Sequence, residues 1–376
     1  MPLDPNTLVL HPPFADELFD HSISHPIYLS STYPRNADGT YPHGYSYSRG
    51  ANPNRRALED TLCALEKGKD AIAFSSGAAA VSAVFQSLTT GDHVIVPQVC
   101  YHGTLTLLRE IFSRWGLLWN TVDMTSLDAV RSALTPTTRL IWLETPANPD
   151  LAISDIQEIA RIAHDAGAMC IADNTVATAL LQEPFLFGCD AVVYSTTKYI
   201  AGHSDVIGGA VIVRDDDELT SRLRTIQIHG GAVPSPFDCW LTMRGLRTLP
   251  LRIQAQCQNA LDIAQFLSNH TQVLKVNYPG LDQHPGHELA RRQMKSYGGL
   301  LSFELKGGKD AALKVLAKIR LIRRATSLGG VESLIEHRAS VEGPHSQTSP
   351  GLLRLSVGIE SVKDLIGDLN QALSEI

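Results

Sequence analysis

The sequence predicts an α/β protein: a large domain on a mostly parallel sheet with helices on both faces, followed by a smaller α+β C-terminal domain. Three features predict it. From Arg55 onward, short apolar segments alternate with helix-length ones, the signature of βαβ units. The apolar segments are hydrophobic throughout, as strands buried on both faces are. Beyond about Pro250, longer helices mix with isolated strands, which suits a smaller unit packed on the first.

Residues 1 to about 54 are rich in Pro, His, Tyr and Ser, densest in YPHGYSYSRGANPN, and show no sustained period, so an N-terminal arm is expected. In RRALEDTLCALEKG, Leu58, Leu62 and Leu65 share one helical face and Gly68 is expected to stop the helix. AIAF then predicts a strand, SSGAAAVSAVFQSL a small-residue helix, HVIVP a strand and GTLTLLREIFSRW a helix. TRLIWLE follows as a strand, SDIQEIARIAHDAG as a capped helix with Gly167 at its end, and AMCIAD, DAVVYS and GGAVIV as further strands. The C-terminal part opens on the long amphipathic helix LRIQAQCQNALDIAQFLSN and continues through VLKVNYP, GGLLSFEL, DAALKVLAKI and LLRLSVGIE. The expected division is an arm over 1–54, a large domain over 55–249 and a C-terminal domain over 250–376.

Bulk properties narrow the function. A length of 376 residues accommodates two domains with ample core. The net charge of −7 argues against a nucleic-acid surface. The six cysteines form no CxxC pair and sit mostly among apolar residues, which suggests reduced thiols and neither disulfides nor a zinc site. No charged-then-apolar leader opens the chain and no apolar run approaches the ~18 residues of a membrane span. A soluble, cytoplasmic protein is expected.

In an open parallel sheet, ligands bind beyond the carboxyl ends of the strands. Ser75-Ser76-Gly77 follow AIAF and open a helix, where free N–H groups suit a phosphate. Tyr101 follows HVIVP, Asn148 follows TRLIWLE, and Asp173 closes AMCIAD. The segment DAVVY runs into Ser195, Thr196, Thr197 and Lys198. Lysine is rarely buried without a partner, and a buried one loses its charge and becomes a nucleophile. Together one sheet edge offers a phosphate cradle, an aromatic ring, a carboxylate and an imine-forming lysine. That set is what pyridoxal phosphate requires, with the carboxylate keeping the ring nitrogen protonated. Each member has a simpler reading, Asp173 as a turn cap and Tyr101 as a half-buried aromatic. His203 and Asp205 are read as loop-orienting residues.

The chain resembles the Cys/Met-metabolism family of pyridoxal-phosphate enzymes over essentially its whole length. YSRGANPN, SSGAAA, CYHGT, ETPANP, DNTVAT, STTKYIAGHSD, SPFDCWLTMRGLRTL, SLGGVESL and LLRLSVGIE occur in family order. The resemblance implies a fold-type-I subunit in a tetramer of two close dimers. It implies that Lys198 binds the cofactor covalently, Asp173 pairs with its pyridine nitrogen and Tyr101 stacks on its ring. Ser76, Gly77, Ala78, Ser195 and Thr197 would hold the phosphate. Tyr47 and Arg49 would reach the neighbouring subunit's phosphate, and Arg354, Asn148 and the region of Ser327 would bind the substrate carboxylate.

Five positions depart from the family pattern: Ala78 stands where the family often has Met, Asn54 makes NPT into NPN, His102 replaces a glycine, Val176 replaces a Phe, and the fifth is Thr326. Thr326 stands where enzymes acting on cystathionine often have Glu, which suits a distal ammonium group. The implied activity is elimination or replacement at the γ-carbon of a sulfur amino acid or an activated homoserine, with β-elimination from cystathionine as the alternative. A transaminase would share the lysine and the aspartate. A noncatalytic vitamin-B6-binding protein would keep the phosphate site without turnover, and the intact Lys198, Tyr101 and Arg354 disfavour it.

Overall fold

A computed structural model of the protein describes residues 3–13, 22–215, 218–342 and 348–376. Seven strands build the large sheet: β1 (Asp70–Phe74), β2 (His93–Pro97), β3 (Leu118–Val122), β4 (Thr138–Glu144), β5 (Met169–Asp173), β6 (Ala191–Tyr194) and β7 (Gly209–Val213). Their order is β1-β7-β6-β5-β4-β2-β3. β7 runs antiparallel to both its neighbours, while the other pairings are parallel. Apolar clusters on both faces of the sheet bury Ile72, Trp142 and Val211 on one side and Ile141, Leu143 and Cys170 on the other. This explains why the strands carry no polar alternation.

The helices begin and end where local chemistry directs. Asn52, Ser76 and Asp155 each accept a backbone N–H from the first turn of the helix that follows, the N-cap arrangement. The helix Pro53–Glu66 ends differently from expectation. Lys67, not Gly68, adopts the left-handed conformation, with φ of 61°. Gly68 is required for space: a Cβ there would lie 2.5 Å from Ile212 Cγ2 and 2.8 Å from the Val213 carbonyl. The expected helix over 103–115 also breaks, into His102–Glu110 and a 3-10 turn at Phe112–Trp115. The edge strand β3 and the helices Glu218–Gly230 and Pro236–Leu246 were not foreseen as elements.

A second sheet comprises β8 (Val273–Asn277), β9 (Leu300–Leu305), β10 (Arg323–Arg324), β11 (Leu334–His337) and β12 (Leu352–Ser356), in the order β10-β11-β12-β9-β8. The strands that looked isolated in sequence thus pair with one another, antiparallel except for β10 with β11. The helix Leu249–Ser268 links the two cores. Leu249, Ile253 and Cys257 pack with Tyr199 and Met243, whereas Ala260, Ile263 and Leu267 pack with Phe303 and Leu355.

The arm is more anchored than expected. Val9 is buried in the core cluster that holds Leu58 and Leu62. Asn54, one of the departures from the family pattern, accepts from Tyr28 N and donates to Pro26 O, both at 2.8 Å. It thereby fastens the arm to the first long helix.

Candidate active site

β4, β5 and β6 end side by side, and register places Glu144 opposite Asp173. Beyond these ends opens a cavity of about 240 Å³ lined by Ser76, Gly77, Ala78, Tyr101, Asn148, Asp173, Ser195, Thr197 and Lys198. Nine residues singled out in sequence therefore face one space. It meets a wider groove of about 1070 Å³, lined in part by Thr326 and Ser327, and Thr197 and Ile207 line both.

The floor on the phosphate side is built by close backbone approach. A Cβ on Gly77 would lie 2.7 Å from Ser195 Cβ, and one on Gly209 would meet the Ser76 carbonyl at 2.2 Å. Ser76 Oγ accepts from Ala79 N at 3.0 Å, so the N–H groups of Gly77 and Ala78 remain outside the helix's own ladder. Thr197 is already engaged: its hydroxyl donates to Gly208 O at 3.1 Å and accepts from Gly208 N at 3.0 Å. This clip holds the lysine loop against β7.

Lys198 Nζ donates to Ser327 Oγ at 2.9 Å. Burial, and next the Arg354 guanidinium, lower its pKa to about 8. Arg252 fixes the loop from below, donating to the carbonyls of Tyr199 at 2.7 Å, Ile200 at 3.3 Å and Gly245 at 2.8 Å. Gly202 has φ of +71°, and a Cβ there would lie 2.0 Å from Arg252 Nη1, so the turn requires glycine.

Asp173 accepts from Thr175 N at 3.0 Å, and burial raises its pKa. Among the described residues no cation lowers its pKa, and a protonated heterocyclic nitrogen would supply one. Glu144 is the site residue that sequence reasoning missed. Its two oxygens accept from Tyr101 N at 2.7 Å and Asn148 N at 2.9 Å. Burial, with Asp173 as the next contributor, pushes its pKa up to about 8. The signal was present, because TRLIWLE ends an apolar strand on a carboxyl just as AMCIAD does.

Arg354 is buried. It donates to Asn148 Oδ1 at 3.0 Å and Ser327 O at 2.7 Å, and pairs with Glu336 at 2.9 Å. Its Nε, also buried, has no hydrogen-bond partner and is an unmet donor; Arg354 itself lines neither the cavity nor the groove and lies behind Asn148 and Ser327, which do. Tyr47 and Arg49 do not line the cavity. Tyr47 is half exposed, and Arg49 donates to Ile228 O at 2.6 Å on its own chain.

The Cys/Met metabolism PLP-dependent enzyme model matches residues 6–374. The chain belongs to that family. It is 48% identical to the cystathionine gamma-synthase of Mycobacterium tuberculosis over 375 residues, covering 98% of this chain and 96% of that protein. It is 42% identical to the cystathionine beta-lyase of Coxiella burnetii over 377 residues, covering 98% and 97%. The crystal structure of metB from Corynebacterium glutamicum matches with a TM-score of 0.96 at 43% identity, covering 99% of this chain and all of the other. The family member described here is thus a pyridoxal-phosphate enzyme of the C–S lyase and transsulfuration type. The glycine-lined cradle, the half-buried Asp173 with its raised pKa and the Lys198 amine with its lowered pKa fit that cofactor. No helix among the described residues is long and apolar enough to cross a membrane.

Proposed function

We infer that the enzyme carries out replacement or elimination at the γ-carbon of an activated homoserine or sulfur amino acid. The observation that carries this is Lys198, an amine brought to about pKa 8 inside the cavity that also holds Asp173. Such an amine can accept and return protons near neutral pH. When bound, pyridoxal phosphate supplies an electron sink for the carbanion left by removal of the α-proton. Lys198 takes that proton and then moves one at the β-carbon, the second transfer that γ-chemistry needs. Asp173 keeps the heterocyclic nitrogen protonated, and Tyr101 covers the ring and assists departure of the γ-substituent. Ser76, Gly77, Ala78, Ser195 and Thr197 hold the phosphate, with the backbone N–H groups as the principal donors. Arg354, Asn148 and Ser327 receive the α-carboxylate.

The γ-assignment draws on similarity to the mycobacterial gamma-synthase, and β-elimination is supported by the Coxiella beta-lyase. Products separate them. Cystathionine yields cysteine and 2-oxobutyrate by γ-elimination, but homocysteine and pyruvate by β-elimination. Cysteine plus O-acetyl- or O-succinylhomoserine gives cystathionine and no keto acid by γ-replacement. Pyruvate as the sole keto acid from cystathionine, with no replacement product, would overturn the γ-reading.

The reading extends to assembly: a homotetramer of two close dimers in the cytoplasm, with Tyr47 and Arg49 reaching the phosphate in the neighbouring subunit. A guanidinium fork and a phenol suit phosphate oxygens, and neither residue lines its own subunit's cavity. Arg49→Ala should loosen cofactor binding, and co-expression with Lys198→Ala should restore activity, because one site of the mixed dimer then carries neither lesion. Doubly tagged mixed dimers without recovered turnover would return Arg49 to its own subunit.

A further inference from the structure

Behind the carboxylate site lies a buried ion cluster. Arg338 and Arg354 each bring a guanidinium nitrogen to 2.9 Å from the same oxygen, Glu336 Oε1. All three residues are buried. β11 and β12 bring Glu336 and Arg354 opposite one another in register, and Arg338 opens the short helix that follows β11. The other oxygen, Glu336 Oε2, and Arg354 Nε are both buried and unpartnered. Arg338 is held on its remaining sides as well. Its Nε donates to Glu342 Oε1 at 2.8 Å, and its Nη2 lies 3.2 Å from His102 Nδ1.

A carboxylate and a guanidinium left to themselves favour a two-pronged fork. Here Arg338 prevents it. By sharing Oε1, Arg338 restricts Glu336 to a one-pronged contact with Arg354, so the buried Nε–H of Arg354 has no protein acceptor. His102 completes the clamp. Accepting from Arg338, its Nδ1 carries no proton, and burial and Arg338 both lower the ring's pKa. The same imidazole packs edge-on to Tyr101, with ring centroids 5.0 Å apart. The histidine that replaces a family glycine therefore joins the aromatic side of the cavity to its carboxylate side.

We propose that Arg338 is a positioning residue of the active site: it holds Glu336 away from the Arg354 fork and so leaves Arg354 Nε without a protein acceptor, a donor for the substrate's α-carboxylate. The proposal rests on Arg354 being the carboxylate site. Without Arg338, Glu336 closes on Arg354 as an internal competitor of the substrate.

The test uses the holoenzyme, titrated by visible absorbance with glycine, an amino acid without a leaving group, and with methylamine, which lacks the carboxylate. Arg338→Met is expected to weaken glycine binding about tenfold or more, with methylamine unaffected and kcat reduced less than kcat/KM. Adding Glu336→Gln to that variant should restore most of the glycine affinity, a rescue that a merely structural loss would not show. Should Arg338→Met fail to fold, Glu336→Gln alone decides: it should bind glycine at least as tightly as the wild type, and weaker binding overturns the proposal. Unchanged glycine affinity in folded Arg338→Met, or no rescue in the double variant, also overturns it. Arg354→Lys separates the two levels. If glycine affinity is lost there but not in Arg338→Met, only the positioning role falls. If Arg354→Lys binds glycine normally, the carboxylate assignment falls and the proposal with it.

Discussion

Lys198→Ala should reduce turnover by at least about 10⁴-fold, combining loss of the covalent tether with loss of the general base. The expectation follows from an amine held by Ser327 in the cavity and brought to a pKa of about 8. The fold should survive, because Arg252 and the Thr197 clip fix the surrounding loop through backbone groups that the substitution leaves intact. The wild-type holoenzyme should be yellow. Borohydride reduction should leave the cofactor mass on the peptide that contains Lys198. Recovery of the reduced cofactor on another lysine, or substantial residual kcat in the alanine variant, would displace Lys198 from the centre of the mechanism.

Asp173→Asn should separate stability from activity. Electrostatic stabilisation of developing charge is typically worth about 3–4 kcal/mol, so kcat should fall by two to three orders of magnitude even with cofactor saturating. The cofactor-free protein should respond in the opposite sense. Burial raises the pKa of Asp173 above its ordinary value, so the folded state holds a proton that the unfolded state releases. The stability of the cofactor-free form then decreases as pH rises from the ordinary carboxyl range through the raised value. An amide cannot ionise and removes that loss. Melting of both cofactor-free proteins between pH 4 and 8 should show the variant gaining on the wild type as pH rises. A parallel pair of curves would mean that Asp173 carries no desolvation penalty, and near-normal kcat would mean that another carboxyl, Glu144 first, serves the ring nitrogen.

Much of this site was legible because its parts are local. A small-residue helix capped by Ser76, an apolar strand ending in Asp173 and another running into Ser195 and Lys198 each show their character within a few residues. Parallel topology then brings such strand ends to one edge of the sheet, so motifs far apart in the chain could be assembled in advance. The edge strand β3 was harder to see because Leu118 is exposed and the segment lacks the continuous apolar run of its neighbours. The short β10 and β11, of two and four residues, give little periodic signal and are set by pairing, β10 with β11 and β11 with β12.

Hydrophobic run length and strand-end chemistry are written residue by residue, and they specified the large sheet and pointed to the cofactor, while the ordered motifs carried the family resemblance. Tertiary structure decided what depends on long-range register and shared partners. Glu144 stands beside Asp173 because β4 and β5 pair in one register, and the Asp173 carboxyl then adds to burial in raising the pKa of Glu144. Val9 reaches a core that its own segment does not announce. Arg338 has no local mark at all, and its role exists only because β11, β12 and the helix at His102 converge on one carboxylate. A guanidinium's effect depends on which oxygen it shares and which donor it leaves free, and those are facts of three-dimensional placement.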